Sequence, residues 1–191
     1  MTEEENILAE LAAKCAIPQA KMRIARARRV FVEVSPEQFW DVFRHAYNAM
    51  AFKGLTTITG MDQGANLVAM YHLARESGVL LNISVAVPKE RPVLQTITSY
   101  FPAADCYERE MMDLLGMVVE GLPEGSRYPL PDGWPEGQYP LRKDWNAKML
   151  DGATPSALPG NASFFKSGDE KKSLPNPEPN LEPDKEPEHA G

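Results

Sequence analysis

Three apolar, β-branched runs follow one another in the middle of this chain, and they restrict its fold more than any other feature. They are LTTITGMD (55–62), NLVAMYHLA (66–74) and VLLNISVAV (79–87). Between them lie Asp62-Gln63-Gly64 and Arg75-Glu76-Ser77-Gly78, spacers of hairpin length made of turn residues. Short runs of this composition are strands. RVFVEV, from Arg29 to Val34, alternates as a strand with one buried face does. Together these four segments predict a small, mainly antiparallel sheet of about four strands. Pro88, Pro92 and the charges between them end it.

Helices flank the sheet. EEENILAELAAKCA places Ile7, Leu8, Leu11 and Cys15 at helical spacing, with its acids in the first turn where the helix dipole favours them. Ser35-Pro36-Glu37-Gln38 is a helix start, with Ser as cap, Pro at the first helical position and Gln three residues after the Ser. Phe39, Val42, Phe43, Ala46 and Met50 form the stripe that faces the core. Val93 to Phe101 reads as a short helix, and Ala104 to Gly116 as another. The fold class is therefore α+β, with helices packed on the sheet.

From Gly121 the chain changes character. GLPEGSRYPLPDGWPEGQYPLRKDW is dense in Pro and Gly and predicts an extended, irregular arm. SLPNPEPNLEPDKEPEHAG is Pro/Glu-rich and lacks the apolar surface needed to fold. The expected organisation is an α+β domain over 1–120, an arm over 121–145 and a flexible tail over 146–191.

Composition excludes several functions. The formal charge of −7 argues against bulk nucleic-acid binding. A compact basic stretch, Lys21 to Arg29, suits an edge strand or loop with one solvated face, or a patch for an acidic partner. No run approaches the ~20 apolar residues of a membrane helix, and the acidic N-terminus lacks the pattern of a secretory signal. The chain is expected in the cytoplasm. Cys15 and Cys106 lie far apart, and His45, His72 and His189 form no ligand spacing. No metal or cofactor is expected on this chain. An independent enzyme using His72 or Cys106 would need a nucleophile–base arrangement or a phosphate-cradling glycine loop, and neither motif is present.

The informative segment is CYEREMMDLLG, Cys106 to Gly116. On a helix, Tyr107, Met111, Leu114 and Leu115 share one face, and Arg109 can reach Asp113 at i,i+4. Glu108 and Glu110 point away from each other, so they do not form an acid/base pair. About thirty residues later comes YPLRKDW, Tyr139 to Trp145. Its basic pair, Arg142 and Lys143, could meet Glu110 and Asp113 of the helix as an ionic latch. Such a contact fixes geometry more than it adds stability. The aromatics Tyr128, Trp134, Tyr139 and Trp145 recur along the proline-stiffened arm, where they would lose little entropy on docking.

These two linked motifs resemble the signature of the complex I 30-kDa subunit family, an ERE-x-x-D helix followed by a Gly/Pro-rich loop and a closing PLRKD. Glu108, Arg109, Glu110 and Asp113 match the first part; Pro140, Leu141, Arg142, Lys143 and Asp144 match the second. The chain has Gly121-Leu122-Pro123 where the respiratory proteins usually carry Gly-His-Pro. Its loop is more similar to subunits of membrane-bound, energy-converting nickel–iron hydrogenases. The resemblance implies a non-catalytic subunit without a redox centre, docked on the large catalytic subunit, with the nickel–iron site and iron–sulfur clusters in partners. The expected partners are that large subunit (or the 49-kDa-type subunit in complex I), an iron–sulfur small subunit and, indirectly, membrane subunits. The complex would sit on the inner face of the cell membrane. The equivalent subunit of NADH:quinone oxidoreductase and a free-standing interaction adaptor are the alternatives.

Overall fold

The computed structural model describes residues 1–150 apart from Asp132. The part of the expected tail from residue 151 onward lies outside the described residues. Helix α1 spans Glu3–Cys15 and opens with a capping box: Glu5 N–H donates to the Thr2 hydroxyl, and Thr2 N–H donates to the Glu5 carboxylate. Strands β1 (Met22–Arg26) and β2 (Arg29–Val34) form a hairpin. Helix α2 (Pro36–Asn48) begins with a second capping box between Ser35 and Gln38, as its sequence predicts. Strands β3 (Gly54–Asp62), β4 (Asn66–Ala74) and β5 (Leu80–Pro88) are the three consecutive runs, joined by the two predicted turns.

The sheet has five strands in the order β1-β2-β5-β4-β3. This is one more than the four expected, because the basic stretch supplies β1 as an edge strand. Its neighbours pair antiparallel except β2 with β5, which run parallel from Arg29↔Leu80 to Val34↔Val85. Helix α2 and two strands intervene between them, enough chain for a parallel crossover. Val30, Val32, Leu81, Ile83, Leu67 and Tyr71 fill the helix-covered face. Phe39 of α2 lies 4.6 Å from Tyr71, and Phe43 packs edge-on against Tyr100 at 5.2 Å.

On the opposite face His72 is a cross-strand link. Asn82 donates its side-chain N–H to the Val30 carbonyl at 2.8 Å, so its Oδ1 accepts from His72 Nδ1 at 2.6 Å. His72 Nε2 then accepts from the Thr59 hydroxyl at 3.0 Å. The imidazole thereby joins β3, β4 and β5.

Val93 to Phe101 is not helical. Val93–Gln95 forms a short strand, β6, parallel to β7 (Val118–Glu120), with helix α3 (Ala104–Leu115) as the crossover between them. Leu94, Ile97 and Phe101 are buried at spacings that mimic a helix. The backbone is committed elsewhere: Thr96 N–H donates to the Glu120 carbonyl, and Ile97 N–H to the Glu108 carboxylate. Tertiary partners for those amides override the local pattern.

Candidate docking surface

Helix α3 buries Ala104, Glu108, Met111 and Leu115, a stripe at i, i+4, i+7 and i+11. Leu115 and Met111 press on Gly60 of β3: a Cβ there would stand 2.5 Å from Leu115 Cδ1 and 3.0 Å from Met111 Cγ. Gly60 thus permits the close approach of α3 to the sheet.

Glu108 occupies a core position of this stripe and is fully buried. Its carboxylate accepts from the Thr96 hydroxyl at 2.6 Å and from Ile97 N–H at 2.8 Å. Burial pushes its pKa up, and these hydrogen bonds offset only part of that. The side chain ties α3 to the end of β6. Its place in the stripe, four residues from Ala104 and three from Met111, was the signal for burial.

Arg109 grips Asp105, not Asp113 as its i,i+4 spacing also allowed. Nε and Nη2 each donate to an Asp105 oxygen at 2.9 Å, and Nη2 also donates to the Pro123 carbonyl at 2.6 Å. The bidentate fork holds Asp105 below the usual carboxylate range. Asp113 turns to the arm instead. It accepts from Arg127 Nε at 2.9 Å and from Leu130 N–H at 3.1 Å, and Arg127 Nη1 donates to the Trp134 carbonyl at 3.0 Å. Arg127 is the single cation between Glu120 and Arg142, which is the sequence clue to this pairing.

The helix and YPLRKDW do meet, but through different atoms from those of the expected latch. Neither Arg142 nor Lys143 pairs with Glu110 or Asp113. The carbonyls at the end of α3 have no partner within the helix. Arg142 supplies one, donating through Nε to the Leu115 carbonyl at 2.7 Å and through Nη2 to Gly116 O at 3.4 Å. Its charge complements the negative end of the helix dipole. The guanidinium also stacks on Tyr139, 4.4 Å from the ring centroid. Leu141 N–H donates to the Leu114 carbonyl at 3.0 Å. Gly116 makes room: it ends α3 at φ 69°, and a Cβ there would sit 2.5 Å from the Tyr139 ring.

Asp62, at the end of β3, closes the clasp. Its nearly inaccessible carboxylate accepts from Gly64 N–H at 2.7 Å, Lys89 Nζ at 2.8 Å and Lys143 N–H at 2.9 Å. Lys89 Nζ also reaches Asp144 at 2.8 Å. The Lys89 ammonium, with the two backbone donors, holds the Asp62 carboxyl far below its usual range. Lys143 contributes its backbone here rather than its charge. The sequence marks Asp62 only as a turn residue, and its partner Lys143 N–H is 81 positions away.

Removing this carboxylate strands a buried ammonium contact and an arm amide. Asp62→Ala is expected to cost roughly 2–4 kcal/mol and to speed amide exchange at Lys143. The Asp62 pKa is lowered on folding, so its stabilisation is present above the ordinary aspartate value of ~3.9 and is lost as pH falls through the depressed folded value. Tryptophan fluorescence of the arm, followed through acid titration, should therefore hold steady well below pH ~4 in the native chain and lose that acid resistance in Asp62→Ala.

The four arm aromatics divide. Trp134 and Trp145 lie 6.2 Å apart, and both indole N–H groups donate to Gln138, one to its backbone carbonyl and one to its side chain. Tyr139 supports Arg142. These three shape the arm itself, and Tyr128 is the one that is mainly exposed, at 51%. Of the large exposed apolar side chains, four fall between residues 118 and 149 (Val118, Tyr128, Leu141 and Met149), against Met1 and Ile24 in the rest of the described chain. That concentration makes the end of α3 and the arm a candidate docking surface. Among the described residues no group of three or more His, Cys, Asp or Glu could hold a metal ion, and no helix is long and apolar enough to cross a membrane.

Known proteins share this architecture. The beta subunit of a membrane-bound hydrogenase from Pyrococcus furiosus is 34% identical over 120 residues, covering 61% of this chain and 69% of that protein. A subunit of the F(420)H(2) dehydrogenase of Methanosarcina mazei is 30% identical over 120 residues, covering 61% of this chain and 75% of that one. In fold, the chain is similar to one from the membrane-bound sulfane sulfur reductase, an archaeal respiratory membrane complex, with TM-score 0.68, 23% identity and coverage of 91% of this chain and 99% of that chain. The sequence model of the respiratory-chain NADH dehydrogenase 30 Kd subunit matches residues 32–149, from within β2 through α3 and the arm. The chain belongs to the family of the respiratory-chain NADH dehydrogenase 30 Kd subunit.

Proposed function

We propose that this chain is a non-catalytic, cofactor-free subunit of the peripheral part of a membrane-bound redox complex, docked on the large catalytic subunit of an energy-converting nickel–iron hydrogenase. The observation that carries this reading is the clasped arm. Arg142, Arg127 and Asp62 hold the arm to α3 and β3: Arg142 through carbonyls at the helix end, Arg127 through Asp113, and Asp62 through Lys143 N–H. Among the residues that stay exposed are four large apolar ones, Val118, Tyr128, Leu141 and Met149. A rigidly held surface of this kind suits a permanent neighbour, because little order has to be created on docking. The likeness to a membrane-bound hydrogenase subunit supports the hydrogenase branch. Nickel, iron and iron–sulfur clusters would reside in partner subunits, and attachment to the membrane would be indirect.

Affinity purification of the tagged full chain from membranes of its source, in mild detergent, tests this. The expected result is stoichiometric recovery with a larger subunit and with nickel. A nickel-free complex that oxidises NADH would assign the chain to the respiratory alternative. A free monomer would support the adaptor and end the subunit reading.

A further inference from the structure

The two edges of the sheet are treated differently. Edge strands expose unpaired backbone groups, and charges along them discourage unwanted pairing. β1 carries Arg23 and Arg26. β3, at the opposite edge, is nine residues long and has no charge and no proline before Asp62. A register irregularity sits only at its start, between Leu55 and Thr57; from there to Asp62 it is regular. Beside this edge runs a groove of about 290 Å³, lined by Thr57, Gly60, Glu110, Met111, Leu114 and Leu141 among others. Leu141 is 55% exposed at its rim.

Glu110 is the odd acid of α3. Asp105 is paired with Arg109, Glu108 with Thr96 and Ile97 N–H, and Asp113 with Arg127. Glu110 makes no hydrogen bond or ion pair among the described residues, although it is half-buried. It is a carboxylate on an apolar groove, next to an open strand edge.

We propose that this groove receives an extended segment of a partner subunit, added along β3 as a sixth strand. The segment's backbone would pair with the Thr57–Met61 edge, an apolar side chain would enter between Met111, Leu114 and Leu141, and an arginine or lysine would meet Glu110. Strand addition is the mode that an open edge beside a side-chain groove serves, and the carboxylate selects a cationic occupant by complementarity. The inference rests on the subunit role proposed above and assigns the mode and chemistry of one contact within it.

The test uses the full chain in its native complex, with a photo-cross-linking amino acid replacing Thr57. Cross-links should fall on one stretch of a co-purifying subunit that contains an arginine or lysine. Amide exchange over Thr57–Met61 should be at least about tenfold slower in the complex than in the free chain. Glu110→Lys should weaken co-purification by about tenfold or more while leaving the melting temperature of the free chain within a few degrees. Changing the cross-linked cation to glutamate in the Glu110→Lys background should restore assembly. Cross-links to residues 151–191 of the same chain or to a second copy would overturn the proposal. So would unprotected edge amides in an intact complex, or normal assembly of Glu110→Lys. An intact complex with an open edge would leave the subunit role standing, whereas a chain that purifies without partners would end both.

Discussion

Glu108→Ala should lower the stability of the domain by about 3 kcal/mol, seen as a fall of roughly 6–12 °C in melting temperature. The change removes a buried side chain and leaves Thr96 O–H and Ile97 N–H facing a cavity. Each orphaned donor costs about 1–3 kcal/mol and the void adds more, while relief of a desolvated carboxylate gives some back. Glu108→Gln separates these contributions, because its amide oxygen still accepts from Ile97 N–H and its desolvation cost is smaller. At acid pH it should be destabilised by only about 1 kcal/mol. The sign of the pH dependence is informative. Burial raises the Glu108 pKa in the folded state, so the fold binds its proton more tightly than the unfolded chain does. The contribution is fully present below the ordinary glutamate value of ~4.3 and is lost as pH rises through the folded value. Urea titrations from pH 4 to pH 8 should show Glu108→Gln gaining on the native chain as pH rises. A constant gap between the two would mean that Glu108 is not held in a desolvated site. Asp62 has the opposite sign, because its pKa is depressed, so acidification alone should loosen the arm before it harms the α3 core.

The second large effect is expected on assembly. Arg142→Glu removes two donors from the end of α3, unstacks Tyr139 and sets a carboxylate against the negative pole of the helix. The local cost is about 1–3 kcal/mol, too small to unfold a domain whose core does not include Arg142. The arm, however, loses its main anchor. Amide exchange at Leu141 should rise to that of an unprotected loop, and co-purification with the complex should fall by tenfold to a hundredfold. Arg142→Lys keeps the charge but loses the planar fork and the stacking, so it should fall between the two. Normal assembly of Arg142→Glu, with Leu141 still protected, would show that the arm does not depend on this clasp.

Much of the local chemistry was legible. The turns at Asp62–Gly64 and Arg75–Gly78 and the capping box of Ser35 each depend on residues a few positions apart. The stop at Gly116 likewise depends only on its immediate neighbours. So β2 to β5 and the three helices α1 to α3 followed from the sequence, while β6 and β7 did not. The motif pair also singled out α3 and YPLRKDW as segments that belong together, and they do touch. Tertiary structure alone decided which charge meets which. Arg142 answers helix carbonyls that any sequence would present, and Asp62 finds a backbone amide 81 residues away. Arg127 outcompetes the basic pair for Asp113 because the loop delivers it to the right side of α3. Val93–Gln95 became a strand for the same kind of reason, since its neighbours' amides found partners on α3 and β7. Propensities and caps act over one or two turns of chain. An ion pair acts over a few ångströms of space, and which residues share that space is set only once the sheet and its crossovers have formed.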